Sequence, residues 1–132
     1  MKGPMPGFNI QKQIDHWKNG SIDAMETAEL LIDKGKILFG LFFCHLAIEK
    51  VLKAHFVRCT KTLAPKTHDL YFLISKIDFT LEDSGYQFLR VLMRYQLEGR
   101  YPENQPIVPS GEVIEKYFSS TKELFEWLIQ KL

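Results

Sequence analysis

The sequence predicts an all-α protein, an antiparallel up-and-down four-helix bundle with one short extra helix. Three observations lead to this fold class. Apolar residues recur at helical spacing in four long stretches of the chain. No stretch of the sequence shows the alternation of apolar and polar residues that is typical of a half-buried strand. The connections between the helical stretches are mostly short, and short connections place successive helices antiparallel.

The first two helices fill the N-terminal half of the chain. The first is predicted from about Ile10 to Lys34, with Asn9 as its N-cap. The "NGS" at residues 19–21 is a candidate kink or break in this helix. Gly35 then closes the helix in the left-handed conformation, and the second helix is expected from Lys36 to about Arg58.

A short third helix and a longer fourth helix are expected next. The "THDL" at residues 67–70 opens the third helix, where Thr67 is the predicted cap and Asp69 favours the positive end of the helix dipole. Thr80, followed by two acidic residues, is typical of a helix start. The fourth helix is therefore predicted from this point to about Gly99.

The remaining sequence predicts one long loop and a last helix. Three prolines within "RYPENQPIVPSG", residues 100–111, indicate a loop. Ser110 is the predicted cap of the last helix, whose apolar face continues to the C-terminus. We expect residues 1–9 to form a flexible leader and residues 10–132 to form one helical domain.

Composition restricts the classes of function. Hydrophobic residues make up 45% of the 132 residues and charged residues 25%, which is typical of a soluble globular protein. A net charge of +1 does not give the protein the strong positive electrostatic field that is typical of a dedicated nucleic-acid-binding protein. The two cysteines do not have the spacing of a zinc site or of a disulfide framework, which favours a location in the reducing cytoplasm. The longest apolar run, from Ile37 to Cys44, is too short to span a membrane.

The second helix carries a polar stripe on an otherwise apolar surface. His45, Glu49 and Lys53 follow one another at intervals of four residues, so they share one face of the helix. If this stripe is partly buried, each charge needs a partner, because an unpaired buried charge costs about 3–5 kcal/mol. Two interpretations stay open: mutual pairing on a solvated or dimer-facing stripe, and binding of a ligand. No second pair with ligand spacing supports a metal site, and no cofactor is indicated.

Three motifs resemble the HEPN domain, named for higher eukaryotes and prokaryotes nucleotide-binding. They are "LAIEKVLKA" at residues 46–54, "THDL" at 67–70 and "RYP" at 100–102. The likeness extends over about residues 10–130. The resemblance implies a helical bundle that forms a homodimer, binds a nucleotide or RNA, and is often encoded beside a minimal nucleotidyltransferase in a toxin–antitoxin-like module.

Many catalytic HEPN proteins are metal-independent ribonucleases with an arginine, four to six further residues, and then a histidine. In this chain the positions that should hold the histidine after Arg100 are Gln105, Pro106 and Ile107. The other three arginines also lack a histidine at this spacing: Arg58, Arg90 and Arg94. Only a histidine brought in by folding, His68 or His45, could complete such a pair.

Other candidate ligand-binding residues lie around the end of the predicted fourth helix. Arg94, Arg100 and Tyr101 could form a phosphate clamp with an aromatic ring for a base. Alternatively, the arginines contact the last carbonyls of the helix. His68 is a further candidate, or else bonds only within its turn. The sequence favours a dimeric nucleotide- or RNA-binding HEPN protein; the alternatives are a divergent metal-independent endoribonuclease and a homodimeric interaction module without a ligand.

Overall fold

The computed structural model describes residues 8–132, and within them it contains helices and no strand. This confirms the predicted all-α bundle of four main helices and one short extra helix. Residues 1–7 of the predicted leader lie outside the described residues. The helices are α1 (Ile10–Asp33), α2 (Ile37–Thr60), α3 (Leu70–Ser75), α4 (Asp83–Met93) and α5 (Gly111–Gln130), with a 3-10 turn at Pro102–Asn104.

The two longest helices, α1 and α2, form an antiparallel hairpin. The Asn9 side chain accepts a hydrogen bond from the backbone N–H of Lys12 at 2.9 Å, which confirms the predicted cap. Gly35 has a φ of 79° and occupies the left-handed conformation predicted for it. The helix does not break at residues 19–21, because α1 is continuous through this segment. Gly20 instead leaves room for the Lys50 side chain, since a Cβ there would lie 3.1 Å from Lys50 Cδ.

Gly40 allows α1 and α2 to approach each other closely. A methyl group at this position would lie 2.5 Å from Ile32 Cγ1 and 3.2 Å from the Ile32 backbone nitrogen. We expect Gly40→Ala to lower the free energy of unfolding by about 1 kcal/mol, because overpacking outweighs the better helix propensity of alanine. Urea unfolding measures this change. Gly111→Ala is the matched control, since a Cβ there meets nothing within 4 Å. A Gly40→Ala protein as stable as the wild type would contradict the close approach.

Two helix boundaries differ from their predictions. Asp69, and not Thr67, caps α3, because its side chain accepts hydrogen bonds from the backbone N–H groups of Tyr71 and Phe72. The Thr67 hydroxyl accepts from the Asp69 N–H and stabilises the preceding turn. The fourth helix ends at Met93, well before its predicted end at about Gly99. After Met93 the backbone continues in tight turns.

The second helix, α2, lies at the centre of the bundle. It contacts α1, α3, α4 and α5, and most of its side chains between Gly40 and Val57 are buried. The polar stripe of α2 is therefore enclosed by other helices and loops.

Within residues 8–132, no helix combines the length and the apolar character needed to cross a membrane.

Candidate functional site

The polar stripe of α2 is buried. The exposed fractions of His45, Glu49 and Lys53 are 0%, 3% and 5%. These values contradict the interpretation of a solvated stripe. Each of the three side chains must find its partners within the protein, because a buried charge without a partner is strongly destabilising.

Glu49 is the centre of the arrangement. Its Oε2 accepts a hydrogen bond from Lys53 Nζ at 3.0 Å, and its Oε1 lies 2.9 Å from His68 Nδ1. Lys53 Nζ also lies 5.1 Å from the centre of the Trp17 ring, in cation–π geometry. We call His45, Glu49, Lys53, His68 and Glu98 the Glu49 cluster.

His68 is the point at which the buried part of the Glu49 cluster reaches solvent. Its side chain is 46% exposed, and its Nε2 lies 3.0 Å from Glu98 Oε2. Each ring nitrogen thus faces a carboxylate, and both can donate only when both carry protons. The His68 ring thus lies between the buried carboxylate of Glu49 and the largely exposed carboxylate of Glu98.

His45 links α2 to the turn that carries His68. Its Nε2 lies 3.2 Å from the His68 carbonyl oxygen and donates to it. Its Nδ1 is 3.8 Å from Glu49 Oε1 and has no hydrogen-bond partner within the described residues. Burial lowers the pKa of His45, and the Glu49 carboxylate partly opposes this effect. A neutral His45 therefore holds the backbone of His68 in place.

The segment after α4 places the other predicted residues next to Glu98 in the chain. The Arg100 guanidinium donates to the carbonyl oxygens of Gln96 at 2.6 Å, Asn104 at 3.1 Å and Met93 at 3.4 Å. Arg100 thus contacts backbone carbonyl oxygens at and after the end of α4. Contact with the last carbonyls of the helix was one of the two interpretations of this residue. The Arg94 and Tyr101 side chains are exposed.

The structure brings together four of the seven candidate residues from the sequence: His45, Glu49, Lys53 and His68. Glu98 was not predicted from the sequence, because it lies in an irregular segment where no periodicity identifies a partner. Trp17, which lies beside Lys53, was not predicted as part of the site either. Nothing in the spacing of Trp17 indicates its position beside Lys53.

The Glu49 cluster does not have the geometry of a metal centre. Within the described part of the chain, no three His, Cys, Asp or Glu side chains are grouped as ligands of one ion. In the cluster, the two carboxylates face opposite nitrogens of the His68 ring and do not converge on one point.

A separate cavity of about 520 Å³ lies between the start of α4 and α5, with Glu82, Glu123 and Trp127 among its lining residues. Its two carboxylates make it unsuited to a phosphate.

Comparison with protein families gives a match to the HEPN domain over residues 14–132. The chain belongs to the HEPN domain family. Its fold is similar to the crystal structure of TT1696 from Thermus thermophilus, with a TM-score of 0.73 and 19% sequence identity over 91% of this chain and 98% of that one. At this identity the similarity concerns the fold alone. A search of curated proteins gave no match. The matched region of this HEPN domain contains the whole Glu49 cluster.

Proposed function

We propose that this HEPN-domain protein binds a nucleotide or RNA at the exposed end of the Glu49 cluster, as a homodimer and as the partner of a minimal nucleotidyltransferase. The observation that carries the proposal is the exposure of His68. His45, Glu49 and Lys53 are buried, whereas the His68 side chain is 46% exposed. The buried residues of the cluster are therefore connected to solvent through the His68 ring.

The position of His68 suits the binding of an anion. Its Nδ1 contacts the buried Glu49 carboxylate, whereas its Nε2 contacts the largely exposed carboxylate of Glu98, an anionic group that a ligand anion can replace. Hydrogen bonds from an N–H donor to ionised phosphate oxygens are strong. The exposed side chains of Arg94 and Tyr101 lie on the same segment as Glu98, and an arginine with an aromatic ring suits a nucleotide.

Binding is favoured over cleavage by the absence of the Arg–His spacing and by the contacts of Arg100. Its guanidinium donates to three backbone carbonyls. Three of the five N–H groups of Arg100 are thus already engaged by the backbone of the protein itself. The proposal therefore assigns His68 a role in ligand recognition.

The proposed dimer and the nucleotidyltransferase partner rest on membership of the HEPN family. Exposed apolar side chains provide surfaces on which such contacts could form. Ile107 and Val108, in the loop before α5, are 89% and 53% exposed, and Phe39 near the start of α2 is 60% exposed. Burial of such side chains is a common source of binding energy at protein interfaces.

Calorimetric titration with ATP, GTP and a short RNA tests the proposed function. We expect His68→Ala to weaken binding by about 10-fold or more, because a hydrogen bond to a charged group contributes about 1.5–3 kcal/mol. His16→Ala is the matched control, since His16 is an exposed histidine of α1. The absence of heat with all three ligands, alone and with a minimal nucleotidyltransferase present, would contradict the proposal. Cleavage of the RNA in the presence of a chelator would favour the ribonuclease alternative instead.

A further inference from the structure

The contact between His68 and Glu98 places a carboxylate where a ligand anion would bind. We infer that His68 Nε2 is the atom that contacts a phosphate group, and that Glu98 occupies the position of this phosphate until the ligand displaces it. This inference rests on the proposed function and names the chemistry of its ligand. It also assigns to Glu98 an autoinhibitory role.

The two carboxylates that face His68 differ in how firmly they are held. The Glu49 side chain is 4% exposed and also binds Lys53, whereas the Glu98 side chain is 62% exposed. Removing one partner of a buried ion pair is strongly destabilising. An exposed ion pair contributes little to stability. Glu98 can therefore leave at little cost, while Glu49 keeps the imidazole ring in place.

The backbone around Glu98 is anchored independently of the Glu98 carboxylate. The Glu98 N–H donates to the Gln96 side chain at 2.5 Å, and the next residue, Gly99, has a φ of 76°. Arg100 binds carbonyl oxygens on both sides of this segment, those of Met93, Gln96 and Asn104. Rotation of the Glu98 side chain is therefore sufficient to expose Nε2, and no opening of the loop is required.

A phosphate is the group that replaces a carboxylate best at this position. Both are anionic oxygen acceptors for the same N–H donor, and a terminal phosphate carries more negative charge. A nucleotide and an RNA share this chemistry, whereas a nucleoside lacks it. The inference thus predicts binding of ATP, of short RNA or of both, and none of adenosine.

Removing the charge of Glu98 tests the inference, because it should raise the affinity for a phosphate ligand and not lower it. We expect Glu98→Gln to tighten the binding of ATP or RNA about 3-fold or more, because the competing charge is removed while the side-chain size is kept. Glu103→Gln is the matched control, since it removes the same charge from an exposed residue of the same segment. The measurement is calorimetric titration of each protein with adenosine, ATP and a short RNA. In the Glu98→Gln background, His68→Ala should remove the gain.

The outcomes separate the inference from the proposed function. Equal tightening by Glu98→Gln and Glu103→Gln would show only a general effect of charge, and would overturn the role of Glu98 while ligand binding stands. Binding of adenosine as tight as that of ATP would overturn the phosphate contact. Failure of the wild type and of Glu98→Gln to bind any of the ligands would overturn the proposed function itself.

Discussion

Glu49→Ala is expected to lower the free energy of unfolding by about 3–5 kcal/mol, because it removes the partner of a buried charge. Lys53 is 5% exposed, and its ammonium would keep only the face of the Trp17 ring. His68 would lose the acceptor of its Nδ1. Urea unfolding, followed by circular dichroism, measures the change. Glu115→Ala, at an exposed position of α5, is the matched control and should change stability by less than about 0.5 kcal/mol.

The double substitution Glu49→Leu with Lys53→Met separates the cost of an unpaired charge from the value of the pair. Replacing a buried ion pair by apolar side chains of similar volume is often neutral or stabilising. We therefore expect the double variant to recover most of the stability that Glu49→Ala loses. A loss of less than about 1 kcal/mol in Glu49→Ala would show that the cluster is hydrated in solution and would contradict its burial.

Recovery of stability would also bear on function. If apolar residues can replace the pair without loss of stability, the fold does not require Glu49 and Lys53. Their presence then needs another reason, and the hydrogen bond from His68 Nδ1 to Glu49 provides one. The double variant should be stable and yet bind ATP or RNA more weakly than the wild type.

The helices were predictable because their signals are local. Asn9, Gly35 and Ser110 act within one turn of the helix ends that they define, and all three were assigned correctly. The end of α4 was not assigned correctly, because apolar residues continue in the sequence past Met93. Tyr95 is buried, yet it reaches the core from a turn and not from a helix. Periodicity alone cannot distinguish these two cases.

The site was predictable only along one helix. The interval of four residues gave the contact of Glu49 with Lys53, because helix geometry fixes it. The contacts of His68 with Glu49 and with Glu98 join segments that are far apart in the chain and depend on how loops cross the bundle. Thr67 and Asp69 show a smaller form of this difficulty, since both are good caps and only the backbone path decides between them.

Acid is expected to destabilise the protein from about pH 6.5 downwards through two buried histidines, His45 and His55. Both are 0% exposed, and each donates Nε2 to a carbonyl oxygen, that of His68 at 3.2 Å and that of Leu128 at 2.8 Å. Burial lowers the pKa of His45 and of His55 below 6.5. The unfolded chain therefore binds more protons than the folded protein below pH 6.5, so the free energy of unfolding falls as pH falls.

The slope has an upper limit and can be assigned to single residues. Each histidine contributes at most about 1.4 kcal/mol per pH unit, and neither contributes above about pH 7.5. His45→Gln and His55→Gln keep an N–H donor but cannot take up the proton. Urea unfolding between pH 7.5 and 5 should therefore give a shallower pH dependence for each variant. His16→Gln, at an exposed position, should leave the slope unchanged.

Burial is the largest cause of the lowered pKa of each histidine, and the charges near the two rings differ in sign. His45 Nδ1 faces the Glu49 carboxylate at 3.8 Å, which favours the protonated ring, while His68 and Lys53 oppose it more weakly. His55 Nδ1 faces the Arg58 guanidinium at 3.5 Å, which opposes protonation of the ring, while Asp78 favours it more weakly. An unchanged slope in both His45→Gln and His55→Gln would contradict the burial of the two rings.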